Sequence, residues 1–495
     1  MKMPDTCNNP PEPIDRREFM KTVSAAGLGL AAINPLLSAQ TPATSGSRRR
    51  RYAIVGTGTR HEMYREAITR QYKDYAELTG LCDLNAGRVE LSRKRAAEAG
   101  VQATGYAAAD FEKMIRETTP DTIIVTTVDG THDDYIVRAL EAGCDVVTEK
   151  PMTTTHEKCQ RILDARQRTG RRIRVTFNYR YSPPRTQVKE LLMEGAIGDV
   201  LSVDFHWLLN TIHGADYFRR WHSQKKNSGG LMLHKATHHF DLVNWWLSAV
   251  PQTVTAMGKR DFYTPVMAGR MGLKESHERC HTCTEKERCG FFMSLAANPS
   301  LKAMYLDQEK YDGYYRDQCV FRSSIDIEDT MNVLVKYDTG ATLCYSVNAF
   351  NSWEGYQIAF NGTQGRLEHS IVEQIYVSGA DGVQGGIAAG GVTTRVIPLR
   401  GAAQLQEPWT GEGSHGGGDR VMLDEIFLPS PPQDKYMRAS DERAGACSIL
   451  IGAAANRCFQ TGQPVRISEL VEGLQKPDFP PMPTHQEPVP MPSRE

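Results

Sequence analysis

The chain has 495 residues, 40% of them hydrophobic, enough to bury a large core and to divide into more than one domain. Its 58 Lys and Arg against 59 Asp and Glu leave almost no net charge, which removes the electrostatic case for nucleic acid or an anionic membrane as partner. No apolar run reaches the roughly 20 residues that span a bilayer, so small-molecule chemistry is the expected class of activity.

Residues 15–39, "DRREFMKTVSAAGLGLAAINPLLSA", set Arg16 and Arg17 before Phe19, Met20 and Lys21. A weakly apolar Ala/Gly-rich run follows and ends at a small-residue site near Ala39. The pattern resembles a twin-arginine export signal, with Asp15 where Ser or Thr is usual. The alternative is an ordinary first helix capped by Asp15. The export reading makes 1–39 a signal peptide and 40–50 a linker, and it places the mature protein in the periplasm or otherwise outside the cytoplasm, with no membrane insertion.

From Tyr52 the sequence reads "YAIVGTGTRHEMY": a short β-rich run, Gly56 and Gly58, then a helical pattern. A strand, a glycine turn and a helix start cradle a pyrophosphate, because glycine lets the backbone approach the phosphates and the helix start faces their charge. His61 occupies the place of a third glycine, so the turn alone fits an ordinary tight turn equally well. "LTGLCDLN" ends a second strand with Asp83, spaced as an acid that binds ribose hydroxyls and repels a 2′-phosphate, which favours NAD over NADP. Asp83 can instead cap the helix that starts near Asn85.

"DTIIVTTVDGTHDDYIVRALEAGCDVVTEKP" and "RRIRVTFNYRYSP" continue short Val/Ile-rich strands alternating with helices. That alternation predicts a Rossmann-type doubly wound parallel sheet over 51–177. Ligands bind such sheets beyond the carboxyl ends of the strands, where Thr127, His132, Glu149, Lys150, Asn178 and Arg180 fall. The plain alternative for Lys150 is a solvated loop lysine.

Beyond Tyr181 longer alternating strands, "DVLSVDFHWLLN", "DTMNVLVKYDTGATLCYSVNAF" and "YQIAFNGTQGRLEHS", predict an α+β domain over 178–470. Their period-two pattern predicts a large, mostly antiparallel open sheet. Within that domain "GGLMLHKATHHFDLVNWW" reads as an apolar amphipathic helix that carries His234, Lys235, His238 and His239. Such titratable groups at helical spacing point to a cleft; the bland reading is satisfied core histidines and a lysine reaching water. Zinc on these histidines ranks below acid/base work, because Lys235 stands where such zinc enzymes carry a Glu.

"ESHERCHTCTEKERCGFF" supplies Cys280, Cys283 and Cys289, and Cys319 follows. Their spacing suits a structural zinc or iron–sulfur site better than disulfides, with a disulfide pair and leftover thiols as the alternative. Either would staple an insertion at 264–315 that walls the active site. In "EGSHGGGDRVMLDEIF", His415 and Asp419 open a helix, where His415 either reaches substrate or only helps cap it. The Pro-rich stretch 471–495 is predicted to be disordered.

Five of these motifs, "GTGTRH", "TTVDGTH", "EKPMTTT", "FNYRYSP" and "GGLMLHKATHHFDL", make the chain resemble the Gfo/Idh/MocA family, the relatives of glucose–fructose oxidoreductase and inositol dehydrogenase. The resemblance runs from about Arg51 to about Arg466. It implies a dinucleotide on Gly56, Gly58 and Asp83, with Lys150 touching nicotinamide and substrate. With their neighbours, the cofactor-binding set becomes Gly56, Gly58, Thr59, Arg60, His61, Asp83, Thr127, His132, Glu149 and Lys150. In the family's acid/base motif His238 and Asp241 match, whereas His234 replaces the first Asp. The catalytic set is therefore Lys150, Lys235 and His238, and the substrate set Asn178, Arg180, His234, His239, Asp241 and His415. The resemblance also implies a homo-oligomer, a dimer or tetramer, through the second sheet.

The activity expected is NAD-dependent oxidation or reduction of a sugar or cyclitol hydroxyl, with cofactor held tightly. The alternatives are an NAD-dependent glycosidase or lyase acting through a transient keto-sugar, and a non-catalytic periplasmic sugar-binding protein. The export reading has a direct test. Cells expressing the double variant Arg16→Lys, Arg17→Lys should retain the protein in the cytoplasmic fraction, and unchanged export of that variant would overturn the reading.

Overall fold

A computed structural model of the chain describes residues 48–274, 277–380, 382–483 and 488–492. The expected signal peptide, and all of the expected linker before Arg48, lie outside the described residues.

The first sheet has six parallel strands: β1 Arg50–Val55, β2 Ala76–Asp83, β3 Thr104–Ala107, β4 Thr122–Val125, β5 Asp145–Glu149 and β6 Ile173–Thr176. Their order is β3-β2-β1-β4-β5-β6. Helices cross between the strands, so the central strands are covered on both faces, and "AIV" of β1 and "TIIV" of β4 are buried throughout. The side chain of Asn85 caps the helix Ala86–Glu98, which frees Asp83 from that role. Thr155 caps His156–Thr169, and Gly170 ends it in the left-handed conformation.

The second sheet has nine strands: β7 Val200–Asn210, β8 Pro251–Lys259, β9 Thr330–Tyr337, β10 Thr342–Asn351, β11 Glu354–Gly362, β12 Gly365–Glu373, β13 Ile387–Pro398, β14 Gln404–Gln406 and β15 Val465–Arg466. They run β14-β13-β12-β11-β7-β10-β9-β8-β15, antiparallel except for the parallel pair β7 and β10. The expected alternation holds: Val333, Val335 and Tyr337 of β9 point into the core while Asn332, Leu334 and Lys336 are exposed.

The long helix Glu442–Thr461 packs on β8, on β6 and on the segment 231–247. Its Gly452 makes that approach possible, because a Cβ there would lie 2.5 Å from the Met232 carbonyl oxygen. Residues 471–483 correct the expectation of a disordered tail at 471–495. Phe479 and Met482 pack on the core, Ser248 Oγ donates to the Pro480 carbonyl at 3.0 Å, and Arg443 pairs with Asp478 at 2.6 Å. Prolines here cover apolar surface, which composition alone does not report.

Candidate active site

The carboxyl ends of the first sheet open onto one cavity of about 460 Å³. Gly56, Gly58, Thr59, Arg60, Asp83, Thr127, His132, Glu149, Lys150 and Asn178 line it from the first sheet's side. Gly56 has φ +91°, and a Cβ on it would sit 2.5 Å from the backbone of Thr126 and Thr127, so the turn requires glycine. A Cβ on Gly58 would meet only the Tyr305 hydroxyl, at 4.0 Å, which leaves the turn open toward the cavity. Asp83 holds this turn: it accepts from Thr57 N at 2.5 Å and Thr57 Oγ1 at 3.1 Å, and from Asn85 N at 2.7 Å. Arg60 reaches Glu149 at 2.7 Å and Asp419 at 3.4 Å, and Tyr64 OH donates to the same Glu149 at 2.7 Å. Asn178 Nδ2 donates to Asp419 at 2.7 Å, while its buried Oδ1 has no hydrogen-bond partner among the described residues. An open glycine turn, an acid at the end of β2 and an orphaned amide oxygen fit a dinucleotide laid across the strand ends.

The segment expected as one amphipathic helix is instead two buried pieces, Leu231–His234 and Thr237–Leu247. Every residue from Leu231 to Leu247 is buried, so no wet face exists to set an amphipathic register. The break at Lys235 and Ala236 aims the titratable groups at different partners. His234 meets Asp129 at 2.5 Å through Nδ1. Lys150 Nζ donates to the His234 carbonyl at 3.2 Å and lies 3.5 Å from its Nε2. Lys235 lies 4.0 Å from Glu354 and 4.4 Å from the centre of the Trp207 ring. His238 stacks on Tyr179 with centroids 4.3 Å apart, and no described residue hydrogen-bonds its ring. All four line the cavity.

Burial sets the protonation here. It pushes the Lys150 ammonium down to about 8, against the pull of Asp129 and Glu149. It holds the imidazoles of His234 and His238 well below their usual range, with Lys150 adding to the effect, and it raises the Asp129 carboxyl. Two further imidazole–carboxylate pairs face the same cavity: His213 with Glu354 and His415 with Asp419, each at 2.9 Å. His415 therefore does reach the pocket.

Three expected substrate contacts are elsewhere. Arg180 and Asp241 form a bidentate ion pair at 2.7 and 2.6 Å, 2% and 1% exposed, and neither lines the cavity. His239 stacks on Trp207 at 4.0 Å and bonds Tyr345 OH at 2.6 Å inside the core. Two expected cofactor contacts serve the loops. His61 is fully buried and bonds Ser92 Oγ at 2.7 Å and the Gly58 carbonyl, so it braces the glycine turn. His132 touches the cavity, yet its ring nitrogens lie against the carbonyls of Pro151 at 2.8 Å and Thr127 at 3.1 Å.

The structural zinc expected on Cys280, Cys283, Cys289 and Cys319 is also corrected. Among the described residues no three His, Cys, Asp or Glu side chains gather as a metal site, and the four thiols are free. Burial raises the thiols of Cys280 and Cys319, with Cys319 adding to the first and Cys289 and Cys283 to the second. The insertion is stapled by charge instead: Arg279 pairs with Glu309 at 2.6 Å and Asp317 at 2.8 Å.

Asp129, His213, Tyr217, Arg220, His222, Tyr305 and Asp312 line the cavity and were not singled out from sequence. Asp129 lay within the motif "TTVDGTH", and its constraint is steric: a Cβ on neighbouring Gly130 would lie 2.5 Å from the Lys226 carbonyl. The others come from segments whose return to the cavity only the fold sets.

The family model for the oxidoreductase family's NAD-binding Rossmann fold matches residues 50–177, and the model for its C-terminal alpha/beta domain matches 189–467. The putative oxidoreductase YteT of Bacillus subtilis is 37% identical over 418 residues, covering 83% of this chain and 96% of that one. Inositol 2-dehydrogenase of Salmonella typhimurium is 28% identical over 179 residues, 36% of this chain and 49% of the enzyme. Among solved structures, the WlbA dehydrogenase of Bordetella pertussis, in complex with NADH and UDP-GlcNAcA, superposes with TM-score 0.55 at 19% identity over 85% of this chain and 99% of that one. Aldose-aldose oxidoreductase of Caulobacter crescentus, complexed with glycerol, gives 0.54 at 18% identity over 85% and 100%.

The ion pair of Arg180 and Asp241 makes a prediction separate from catalysis. Asp241→Ala leaves a buried guanidinium unpaired and should cost about 3–5 kcal/mol in denaturant unfolding, whereas Arg180→Met with Asp241→Leu should recover most of that loss. Equal stability of Asp241→Ala and the unaltered protein would overturn the structural assignment.

Proposed function

Because the chain belongs to the Gfo/Idh/MocA family of oxidoreductases, we propose that it oxidises or reduces a hydroxyl of a sugar or cyclitol, using NAD that stays bound between turnovers. The carrying observation is that the glycine turn with Asp83 and the cluster of Lys150, His234, Lys235 and His238 share one cavity. The names of relatives, among them inositol 2-dehydrogenase, favour a polyhydroxylated substrate. So does the lining of imidazoles, phenols and ammonium groups.

Gly56, Gly58 and Thr59 would hold the pyrophosphate, Asp83 the ribose, and Lys150 and Asn178 would flank the nicotinamide. When bound, the dinucleotide supplies the hydride acceptor. His238 is the base: burial keeps its imidazole neutral, and no described residue hydrogen-bonds its Nδ1, so the ring is free to take the hydroxyl proton. The ammonium groups of Lys150 and Lys235 stabilise the developing alkoxide. Asp129 holds His234 through Nδ1, which leaves Nε2 turned to Lys150 and fixes the amine in place. The protein acts outside the cytoplasm, away from a free nicotinamide pool, so the cofactor travels with it. It is a homo-oligomer through the second sheet, where Met257 and Leu334 leave apolar side chains on the outer face.

A second reading is a redox-neutral elimination through a transient keto-sugar. The pairs His213–Glu354 and His415–Asp419 favour it, because they bring further proton-handling groups to the same cavity than one hydride transfer uses. A panel of sugars and aryl glycosides, followed by nicotinamide absorbance and by aglycone release together, separates the two.

Freshly purified protein, once denatured, should release NAD(H) close to one per chain. His238→Ala should keep the cofactor and lose roughly 10²- to 10⁴-fold in turnover. Absence of dinucleotide, or normal turnover of His238→Ala, overturns the reading. The pH profile gives a second check. If the Lys150 ammonium stabilises the alkoxide, kcat/KM falls as pH rises through about 8, where the amine loses its proton. Lys150→Arg should carry that limb to higher pH, and an unmoved limb rules Lys150 out as its source.

A further inference from the structure

The insertion 264–315 lines the cavity through Tyr305, Asp312 and Tyr314. Its segment 299–314 packs across the outer edge of the glycine turn and the end of β2. Tyr305 OH lies 2.6 Å from Thr59 Oγ1 and accepts from Thr59 N at 3.3 Å. Asn85 Nδ2 donates to the Gln308 carbonyl at 3.0 Å. Arg88, one turn into the helix after Asp83, lies 2.6 Å from Asp312 and 3.4 Å from Asp83. Asp83 of that triad is buried and Arg88 and Asp312 are half-buried, with side-chain exposures of 9%, 11% and 7%. Tyr305, Asp312, Arg88 and Asp83 all line the cavity that holds the glycine turn.

We propose that the insertion completes the dinucleotide site: Tyr305 closes it over the pyrophosphate position at Thr59, and Asp312 locks Arg88 at the ribose, selecting NAD over NADP and slowing cofactor release. This rests on the dinucleotide reading above.

The argument is one of charge and covering. A lone arginine beside the ribose would welcome a 2′-phosphate, which brings close to two negative charges. Here two carboxylates flank one guanidinium, so the triad carries a net negative charge in a partly desolvated place, and a 2′-phosphate meets repulsion. One of those carboxylates belongs to the second domain's insertion, so selectivity is not built by the first domain alone. Tyr305 works at the other end. Its hydroxyl shares Thr59 with the pyrophosphate position, bonding Oγ1 at 2.6 Å and N at only 3.3 Å, and a dinucleotide leaving the turn must displace the segment 299–314 that carries it. The packing is close: a Cβ on Gly87 would lie 2.0 Å from Gln308 Oε1 and 2.4 Å from the Tyr311 ring. A segment this near cannot stay in place while the adenosine half swings out.

The test uses the full-length protein with whatever dinucleotide it carries. Bound cofactor is exchanged against excess radiolabelled NAD, and NAD and NADP dissociation constants are measured on protein stripped of cofactor by gel filtration in mild denaturant and refolded. Asp312→Ala removes one charge-assisted bond, so exchange should quicken about tenfold or more and the preference for NAD over NADP should shrink by a similar factor. Tyr305→Phe keeps the ring and removes only the hydroxyl, so it tests the pyrophosphate end without endangering the fold; exchange should quicken while the NAD/NADP preference stays as it was. If both variants match the unaltered protein in exchange rate and preference, the insertion takes no part in the dinucleotide site. If the unaltered protein binds dinucleotide and the variants do not differ, this inference alone fails. If it binds neither NAD nor NADP, the dinucleotide reading fails with it.

Discussion

A buried contact between Asp129 and His234 joins the two halves of the site. Asp129 stands on the loop after β4 of the first sheet, and His234 on the short helix Leu231–His234 of the second domain. With Nδ1 of His234 turned to the carboxylate, the ring presents its other nitrogen to Lys150, which also rests on the His234 carbonyl. Three residues from distant parts of the chain therefore fix one amine at the mouth of the first sheet. The loop cannot drift, because Gly130 lies against the backbone of 226–227. The helix cannot drift either, because Gly452 of the long helix lies against Met232. Remove the contact, and a buried lysine and a buried carboxylate would each lose the neighbour that makes their burial tolerable.

The same reasoning accounts for the number of imidazoles around the cavity. Polar walls near two lysines and several arginines accumulate positive charge. Histidine relieves this, since burial keeps it neutral while it still donates and accepts. Three of the cavity's histidines have a carboxylate partner that fixes the ring: Asp129 for His234, Glu354 for His213 and Asp419 for His415. His238 has none and stacks on Tyr179 instead, which leaves its nitrogens uncommitted. Orientation is thus built into three rings, while His238 and likewise His222, stacked on Trp221, keep an Nδ1 that no described residue bonds.

Both sheets were legible in the sequence, because a buried parallel strand and a half-exposed antiparallel strand leave different hydrophobic patterns. The glycine turn was legible for a like reason: only glycine tolerates φ +91° with a backbone 2.5 Å away. What sequence missed lies where partners are far apart in the chain. Asp129 was quoted in its motif and left unused, since nothing local says that residue 234 will meet it. Arg180 and Asp241 looked like site residues because charge on apolar segments suggests a pocket; they neutralise each other 61 residues apart. His61 and His239 misled in the same way, each held by a hydroxyl that no spacing rule predicts. The cysteines failed on a different ground. Their spacing matched a metal site, but among the described residues no such site forms, and Arg279 anchors the insertion on Glu309 and Asp317.

The exchange of Asp for His at 234 then acquires a physical meaning. The resemblance implies an acid at 234 and a base at 238, both from the second domain. Here the helix breaks at Lys235, His234 takes the place of the acid, and the carboxylate comes from Asp129 on the first domain. The contact that positions Lys150 is therefore divided between the two domains: Asp129 of the first orients the His234 ring of the second, and that ring and its backbone carbonyl hold the Lys150 amine of the first. Neither domain makes this arrangement alone, which is why no single stretch of sequence announces it.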